Sequence, residues 1–304
     1  MGELYEELRP KAFGIAYRML GSVAEAEDVV QDAFLRLYRE LEGGAQIESP
    51  EAYLVTVVTR LGIDELRSAR ARREVYVGEW LPEPILTAED SDPARYAEIA
   101  ESLSVGLLVL LETLSPEQRA VFLLREVFAY PYERIAEILD KSPASVRQLA
   151  VRARRQVTAR EPRFETSREQ RDRLTRRFFD AFERGDLEQL EALLADDVTL
   201  RGDGGGKAPA LARSMRGRVH VGRTLLAWAR SAARFGGTLR QVEVNGEPGA
   251  MTLDRDGKVI SVITLDVAEG RIQTVNSLVN PEKLRHLGPV GDLRAVLGGA
   301  RNTR

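Results

Sequence analysis

The chain has 304 residues, with 44 basic against 47 acidic side chains, a formal charge of −3 and no cysteine. That length allows two or three small domains. The missing thiols exclude a disulfide framework and any cysteine-ligated metal centre, and they suit a reducing, cytoplasmic setting. The two histidines, His220 and His286, lie far apart in the sequence, and two such residues do not make a histidine-rich metal site. No signal-peptide pattern opens the chain and no window approaches 18 uninterrupted apolar residues; no membrane segment and no cofactor are expected.

Residues 3–41 carry apolar side chains at three- and four-residue steps. Leu8, Ala12, Ile15, Ala16 and Met19 form one set; Val29, Val30, Ala33, Phe34, Leu37 and Leu41 form the next, which predicts two helices parted at Gly21–Ser22. Ser49 and Pro50 supply an N-cap and a first-turn proline for a long third helix reaching Glu74. Residues 76–98 hold three prolines and an excess of acids, as in a linker or an extended segment docked on another part of the chain. Helical patterns return over 99–159, broken at "LSPEQ" and "FAYPYERI". Beyond 167 the character changes. Two helical stretches, "REQRDRLTRRFFDAFERGD" and "LEQLEALLADD", precede strand-like runs, with a helical "VGRTLLAWARSAARF" between them. Asp-Gly in "DRDGK" and Glu-Gly in "AEGRI" mark hairpin turns. Helices followed by a curled antiparallel sheet make an α+β pattern, and the Gly- and Arg-rich tail after about 288 is expected to fray.

The strongest local signal is "YPYERIAEILDKSPASVRQLAVRARRQV", residues 130–157. Ile135, Ala136 and Leu139 give a short first helix its apolar stripe, "DKS" makes a tight turn, and Ser142 with Pro143 opens a second helix. Val146, Leu149, Ala150, Ala153 and Val157 point that helix inward. Ser145, Gln148, Arg152 and Arg155 share a polar stripe flanked by Arg147 and Arg154. Short polar, amide and guanidinium groups suit base edges and phosphates of a DNA major groove. A solvated basic face on an ordinary hairpin is the competing reading. The turn length, the cap and the absence of any acid over 141–160 favour DNA. The preceding "LSPEQRAVFLLREV" supplies a capped platform helix.

"RGDGGGKAPA", residues 201–210, has the look of a phosphate loop. A nucleotide loop of the GxxxxGK[ST] type needs glycine where Arg201 stands and a hydroxyl where Ala208 stands, and Pro209 forbids the following helix. A tight, protein-facing loop is the better reading, with Lys207 paired to an acid.

Several stretches resemble a known family. "AEDVVQDAFLRLY" (26–38), "TRLGIDELRSARARRE" (59–74) and the helix-turn-helix resemble regions 2 and 4 of sigma-70-like initiation factors of the extracytoplasmic-function class. "WLPEP" (80–84), "DGGGKAPA" (203–210) and "NPEKL" (280–284) resemble marks of the subgroup with a fused SnoaL-like domain. The resemblance implies a multi-domain fold: two all-α sigma domains, then an α+β, cone-shaped SnoaL-like domain. It assigns region 2 to 1–75, a linker to 76–108, region 4 to 109–160, the SnoaL-like domain to 167–285 and a flexible tail to 286–304. It implies a factor, not an enzyme, that takes core RNA polymerase through the clamp helices of the largest subunit, together with promoter DNA. The matching core-binding positions are Asp28, Gln31, Asp32 and Leu35, one helix face of acids around an apolar anchor. For the −10 element they are Thr56, Thr59, Arg60, Arg67, Arg70, Arg72 and Arg73, lining a basic path for a melted strand. Asp64 and Arg67, three apart, read as a structural ion pair more than a DNA contact. Leu61 stands where many relatives carry an amide. For the −35 element the positions are Ser145, Arg147, Gln148, Arg152, Arg154 and Arg155.

The subgroup implies interdomain regulatory elements at Trp80, Leu81 and Pro82, at Asp203, Gly204, Gly205, Gly206 and Lys207, and at Asn280, Pro281, Lys283 and Leu284. In this reading the C-terminal domain contacts region 2 and the linker and regulates in cis, and Lys207 meets an acid of the linker. The cone also offers room for an unidentified small ligand. Asp180, Asp197, Asp266 and His220 form no catalytic constellation. A ligand-sensing DNA-binding regulator stands as the alternative, although it has no need of the two region 2 helices. A cone-domain isomerase carrying a DNA-binding module lacks catalytic residues.

Overall fold

Helix caps written into the sequence set the breaks of the N-terminal part. In the computed structural model, which describes residues 2–87, 104–159 and 167–299, α1 (Gly2–Leu20) ends at Gly21 in the left-handed region. Ser22 then caps α2 (Val23–Glu42) by accepting the Glu25 amide at 3.3 Å. α3 (Pro50–Glu74) packs on both around Phe13, Tyr17, Phe34, Leu37, Leu54 and Val58. Among the described residues four further helices follow: α4 (Val105–Leu111), α5 (Pro116–Phe122), α6 (Tyr132–Leu139) and α7 (Pro143–Thr158). Ser115 and Gln118 cap each other's backbone at the start of α5, and a π-turn, Leu123–Val127, extends that helix.

The chain divides into two compact units, residues 1–75 with 92–161, and residues 76–91 with 162–304. The first unit joins what the sequence suggests as two bodies. Two buried arginines make the joint. Arg119 donates to the Arg18 carbonyl at 3.0 Å and pairs with Glu112. Arg18 donates to the Gly14 carbonyl at 3.1 Å and lies 5.2 Å from the Phe128 ring centre. Burying a guanidinium is costly, and the Glu112 carboxylate, the two carbonyls and the Phe128 ring offset part of that cost.

The second unit begins with α8 (Arg168–Arg184) and α9 (Leu187–Leu193), and the chain turns directly into β1 (Leu194–Asp203). β2 (Met215–Arg216), α10 (Arg218–Arg234), β3 (Thr238–Val244), β4 (Glu247–Leu253), β5 (Val259–Ala268) and β6 (Arg271–Leu278) follow. The sheet order is β2-β1-β6-β5-β4-β3. β1 and β6 run parallel while the other pairs are antiparallel, so the sheet is mixed and not wholly antiparallel as the turn pattern suggests. The expected hairpins form at Glu269–Gly270 and within Asp254–Lys258, and a third at Asn245–Gly246. Phe178, Phe179, Val198, Leu225, Ile263 and Val275 fill the core between helices and sheet.

The segment 76–87 is no free linker. It lies on this second unit, with Ile85 and Asn245 exchanging hydrogen bonds at 2.7 and 2.9 Å and Leu86 bridging Val244 on the edge strand β3. Covering an exposed edge in this way satisfies its backbone groups. The tail also departs from the expected fraying. Asn280 caps α11 (Pro281–Leu284), Val290 bridges Val259, and α12 (Leu293–Gly299) follows.

Candidate functional site

Three faces gather the residues that the sequence singles out. The first is on α2. Asp28, Gln31 and Leu35 are exposed, Leu35 at 51%, and Asp32 is half-buried and paired with Arg36 at 3.0 Å. Leu35 thus stands half out of the helix beside the acids Asp28 and Asp32.

The second is on α3. Arg60 is exposed, but its guanidinium donates to the Ile138 and Glu137 carbonyls at 2.8 and 3.3 Å, where α6 ends. The unsatisfied carbonyls of a helix C-terminus attract a cation there. Arg67 pairs with Asp64 at 3.1 Å, as the spacing predicts, and with Glu117 at 2.5 Å. Thr56 is half-buried and bonds back to the Ala52 carbonyl at 2.8 Å. Thr59 corrects the reading of a strand path: it is fully buried, because Val55, Thr59 and Ile63 recur every four residues on the inward face. The side chains of Arg70, Arg72 and Arg73 lie outside the described residues.

The third is α7, whose architecture follows the sequence closely. Asp140 takes the left-handed conformation of the turn and Ser142 accepts the Ser145 amide at 3.2 Å. Val146, Ala150, Ala153 and Val157 are buried, with Leu149 half-buried. In the preceding α6, Ile135 and Ala136 are buried as the stripe predicts, but its last buried residue is Ile138 and Leu139 is half-buried, because the stripe of that short helix turns one position earlier. Ser145, Arg147, Gln148, Arg152, Arg154 and Arg155 are all exposed. Arg147 pairs with Glu133 at 2.7 Å and Arg154 with Glu126 at 2.6 and 2.9 Å. Gln148, Arg152 and Arg155 have no polar side-chain partner among the described residues.

A fourth cluster, within the second unit, brings the three short motifs together. Asp203 is fully buried at the end of β1. One carboxylate oxygen accepts the Tyr76 hydroxyl at 2.5 Å; the other accepts the Leu81 amide at 2.8 Å and the Lys283 ammonium at 2.7 Å. Lys283 also donates to the Leu81 carbonyl at 2.5 Å and lies 4.2 Å from the Trp80 ring centre. Burial, then the Asp203 carboxylate, pushes the Tyr76 phenol far above the usual tyrosine range. Leu81, Pro82 and Leu284 are buried around this pair, and Pro281 is half-buried. The glycines fit by necessity. A Cβ on Gly204 would meet the Ala208 carbonyl oxygen at 2.4 Å, and one on Gly205 would meet Asn280 Nδ2 at 2.3 Å. Lys207 departs from expectation: it is exposed and pairs with Glu282, in the third motif, instead of an acid of the linker. Gly206 is likewise exposed. The buried base is Lys283, four residues into "NPEKL".

The cone cavity holds about 290 Å³ and is lined by Phe182, Trp228, Phe235 and aliphatic side chains with a few hydroxyls; none of its lining residues is ionisable. Asp180, Asp197 and His220 are exposed. Burial raises the Asp266 carboxyl above its usual range, opposed by Arg201 and by hydrogen bonds from Asn276 and Thr274. It lies outside the cavity lining.

Residues 4–72 match the Sigma-70 region 2 family, 104–157 Sigma-70 region 4, and 175–276 the SnoaL-like domain. The ECF RNA polymerase sigma factor SigJ of Mycobacterium tuberculosis is 39% identical over 291 residues, covering 92% of this chain and 91% of the relative. The chain belongs to the ECF RNA polymerase sigma factors. A probable ECF sigma factor, SigI, of the same organism is 32% identical, with 94% and 93% covered. The crystal structure of SigJ matches this sigma factor with a TM-score of 0.76 at 36% identity, covering 94% and 98% of the two chains. The protein is thus an alternative sigma factor for promoter recognition and transcription initiation, not a stand-alone ligand-sensing regulator. Sigma factors bind core RNA polymerase and promoter DNA. No helix among the described residues is long and apolar enough to cross a membrane.

Proposed function

We propose that this sigma factor is held in check by its own C-terminal domain, which grips the segment between regions 2 and 4. The observation that carries the reading is the buried Asp203–Lys283 pair with Trp80 and Leu81 seated in it. A segment hydrogen-bonded to one domain through Tyr76, Leu81, Pro84, Ile85 and Thr87 is not free to lie along a polymerase. In this reading Asp28, Gln31, Asp32 and Leu35 take the clamp helices of the largest subunit. Ser145, Gln148, Arg152 and Arg155 read the −35 element, with Arg147 and Arg154 on its phosphates. Arg60, Arg67, Arg70, Arg72 and Arg73 serve the −10 element, Arg60 and Arg67 once released from their partners in the first unit.

Promoter-dependent transcription with purified core polymerase tests it, comparing the wild type with Lys283→Met and with a chain ending at 279. Both variants are expected to keep core binding and to raise the transcript yield several-fold. Unchanged yield from both, with core binding intact, overturns regulation in cis. Lys207→Ala, which breaks only an exposed pair, is expected to have the smaller effect.

A further inference from the structure

Promoter recognition leaves unused the aromatic-walled cavity of the second unit. Its volume of about 290 Å³ is roughly twice the ~150 Å³ of a dry apolar cavity that accepts a single benzene ring. Phe182, Trp228 and Phe235 supply flat aromatic walls. Ser231, Thr252, Ser261 and Ser277 add hydroxyls but no charge. A charged guest would lose its hydration without gaining a counter-ion.

Its walls continue into the cluster that grips the linker. Gly202 lines the cavity and the next residue is Asp203; Val279 lines it and the next is Asn280, which donates to Tyr76 at 2.9 Å. Leu293 and Leu297 of α12 close one side. The same helix reaches the glycine loop through Arg294, which donates to the Gly206 carbonyl at 3.2 Å. Three separate stretches therefore touch the cavity on one side and the Asp203–Lys283 pair or its loop on the other.

We propose that this cavity binds a neutral, flat, largely apolar molecule of one or two fused rings bearing a hydroxyl or carbonyl, and that filling it shifts α12 and the 202–206 loop so as to alter the grip on Trp80 and Leu81. The effect on transcription rests on the cis reading above; the binding and its transmission do not.

The test uses the full chain labelled with 5-fluorotryptophan, whose two tryptophans are Trp80 and Trp228, and 1-naphthol as probe, read by fluorine NMR and calorimetry without polymerase. Saturable one-to-one binding is expected, with a negative heat-capacity change and with both resonances moving along one isotherm. Leu297→Asp and Ala232→Phe, the first charging the closing helix and the second filling the cavity, are expected to weaken binding at least tenfold. The Trp80 resonance reports whether each variant keeps its fold. No saturable binding, or equal binding by two folded variants, overturns the site. Movement of Trp228 with Trp80 unmoved overturns its link to the linker. Either result leaves the transcription test of cis regulation standing.

Discussion

Asp203 and Lys283 show how much can depend on two side chains. Removing one member of a buried, hydrogen-bonded pair strands the other, at a cost of about 3–5 kcal/mol. Asp203→Ala is therefore expected to lower the stability of the second unit by that amount. Asp203→Leu combined with Lys283→Met is expected to recover most of it. Denaturant unfolding followed by tryptophan emission checks this, since both tryptophans belong to that unit. Gly205→Ala tests the same cluster by space: its new methyl would collide with Asn280 and Tyr76 at a φ of +55°. The expected loss exceeds about 1 kcal/mol. Asp266 gives a pH signature. Its folded pKa is raised, so its contribution is full below the ordinary aspartate range and is lost as pH rises through the raised value. Asp266→Asn is expected to flatten that decline and to raise the thermal midpoint at neutral pH, measured by thermal melts across pH 4–8.

Among the elements, α7 is the one whose behaviour on DNA divides most clearly by residue. Arg152 and Arg155 are exposed and unpaired among the described residues, whereas Arg147 and Arg154 must first leave Glu133 and Glu126. Exposed pairs of this kind are worth under about 1 kcal/mol, so DNA can displace them. Arg152→Ala or Arg155→Ala is expected to reduce the salt slope of holoenzyme–promoter binding by about 1 if it contacts phosphate. If it contacts a base, sequence preference relaxes at one −35 position while the slope stays. Binding titrations at several salt concentrations distinguish the two.

This helix was also the most legible part of the sequence. Its cap, first-turn proline, turn and inward stripe are all local signals, each set by residues within a few positions of one another. The burial of Thr59 is legible too, from its four-residue spacing to Val55 and Ile63, although the family resemblance places it on the path of the melted strand. What stayed hidden was non-local. Nothing in "NPEKL" by itself says that Lys283, not Lys207, finds the buried acid, or that β1 lies parallel to β6. The joint between Arg18 and Arg119 spans 101 residues, and a single arginine in an apolar run gives no hint of its partner.

At the scale of the whole molecule, regions 2 and 4 share one packed unit, and arginines suited to promoter DNA are partly spent inside it. Arg60→Ala removes the cation from the end of α6, an interaction worth about 0.3–1 kcal/mol. It is expected to raise hydrogen exchange in α6 while leaving the second unit unchanged.

The docking of residues 76–87 also sets a length. Chain that lies along β3 and the Asp203–Lys283 pair is withdrawn from the stretch joining α3 to α4. At about 3.3–3.6 Å per extended residue, that withholds roughly 40 Å of span. Under the proposed regulation in cis, undocking returns that slack at once, and the distance two promoter-reading modules can bridge becomes a quantity the C-terminal domain meters out.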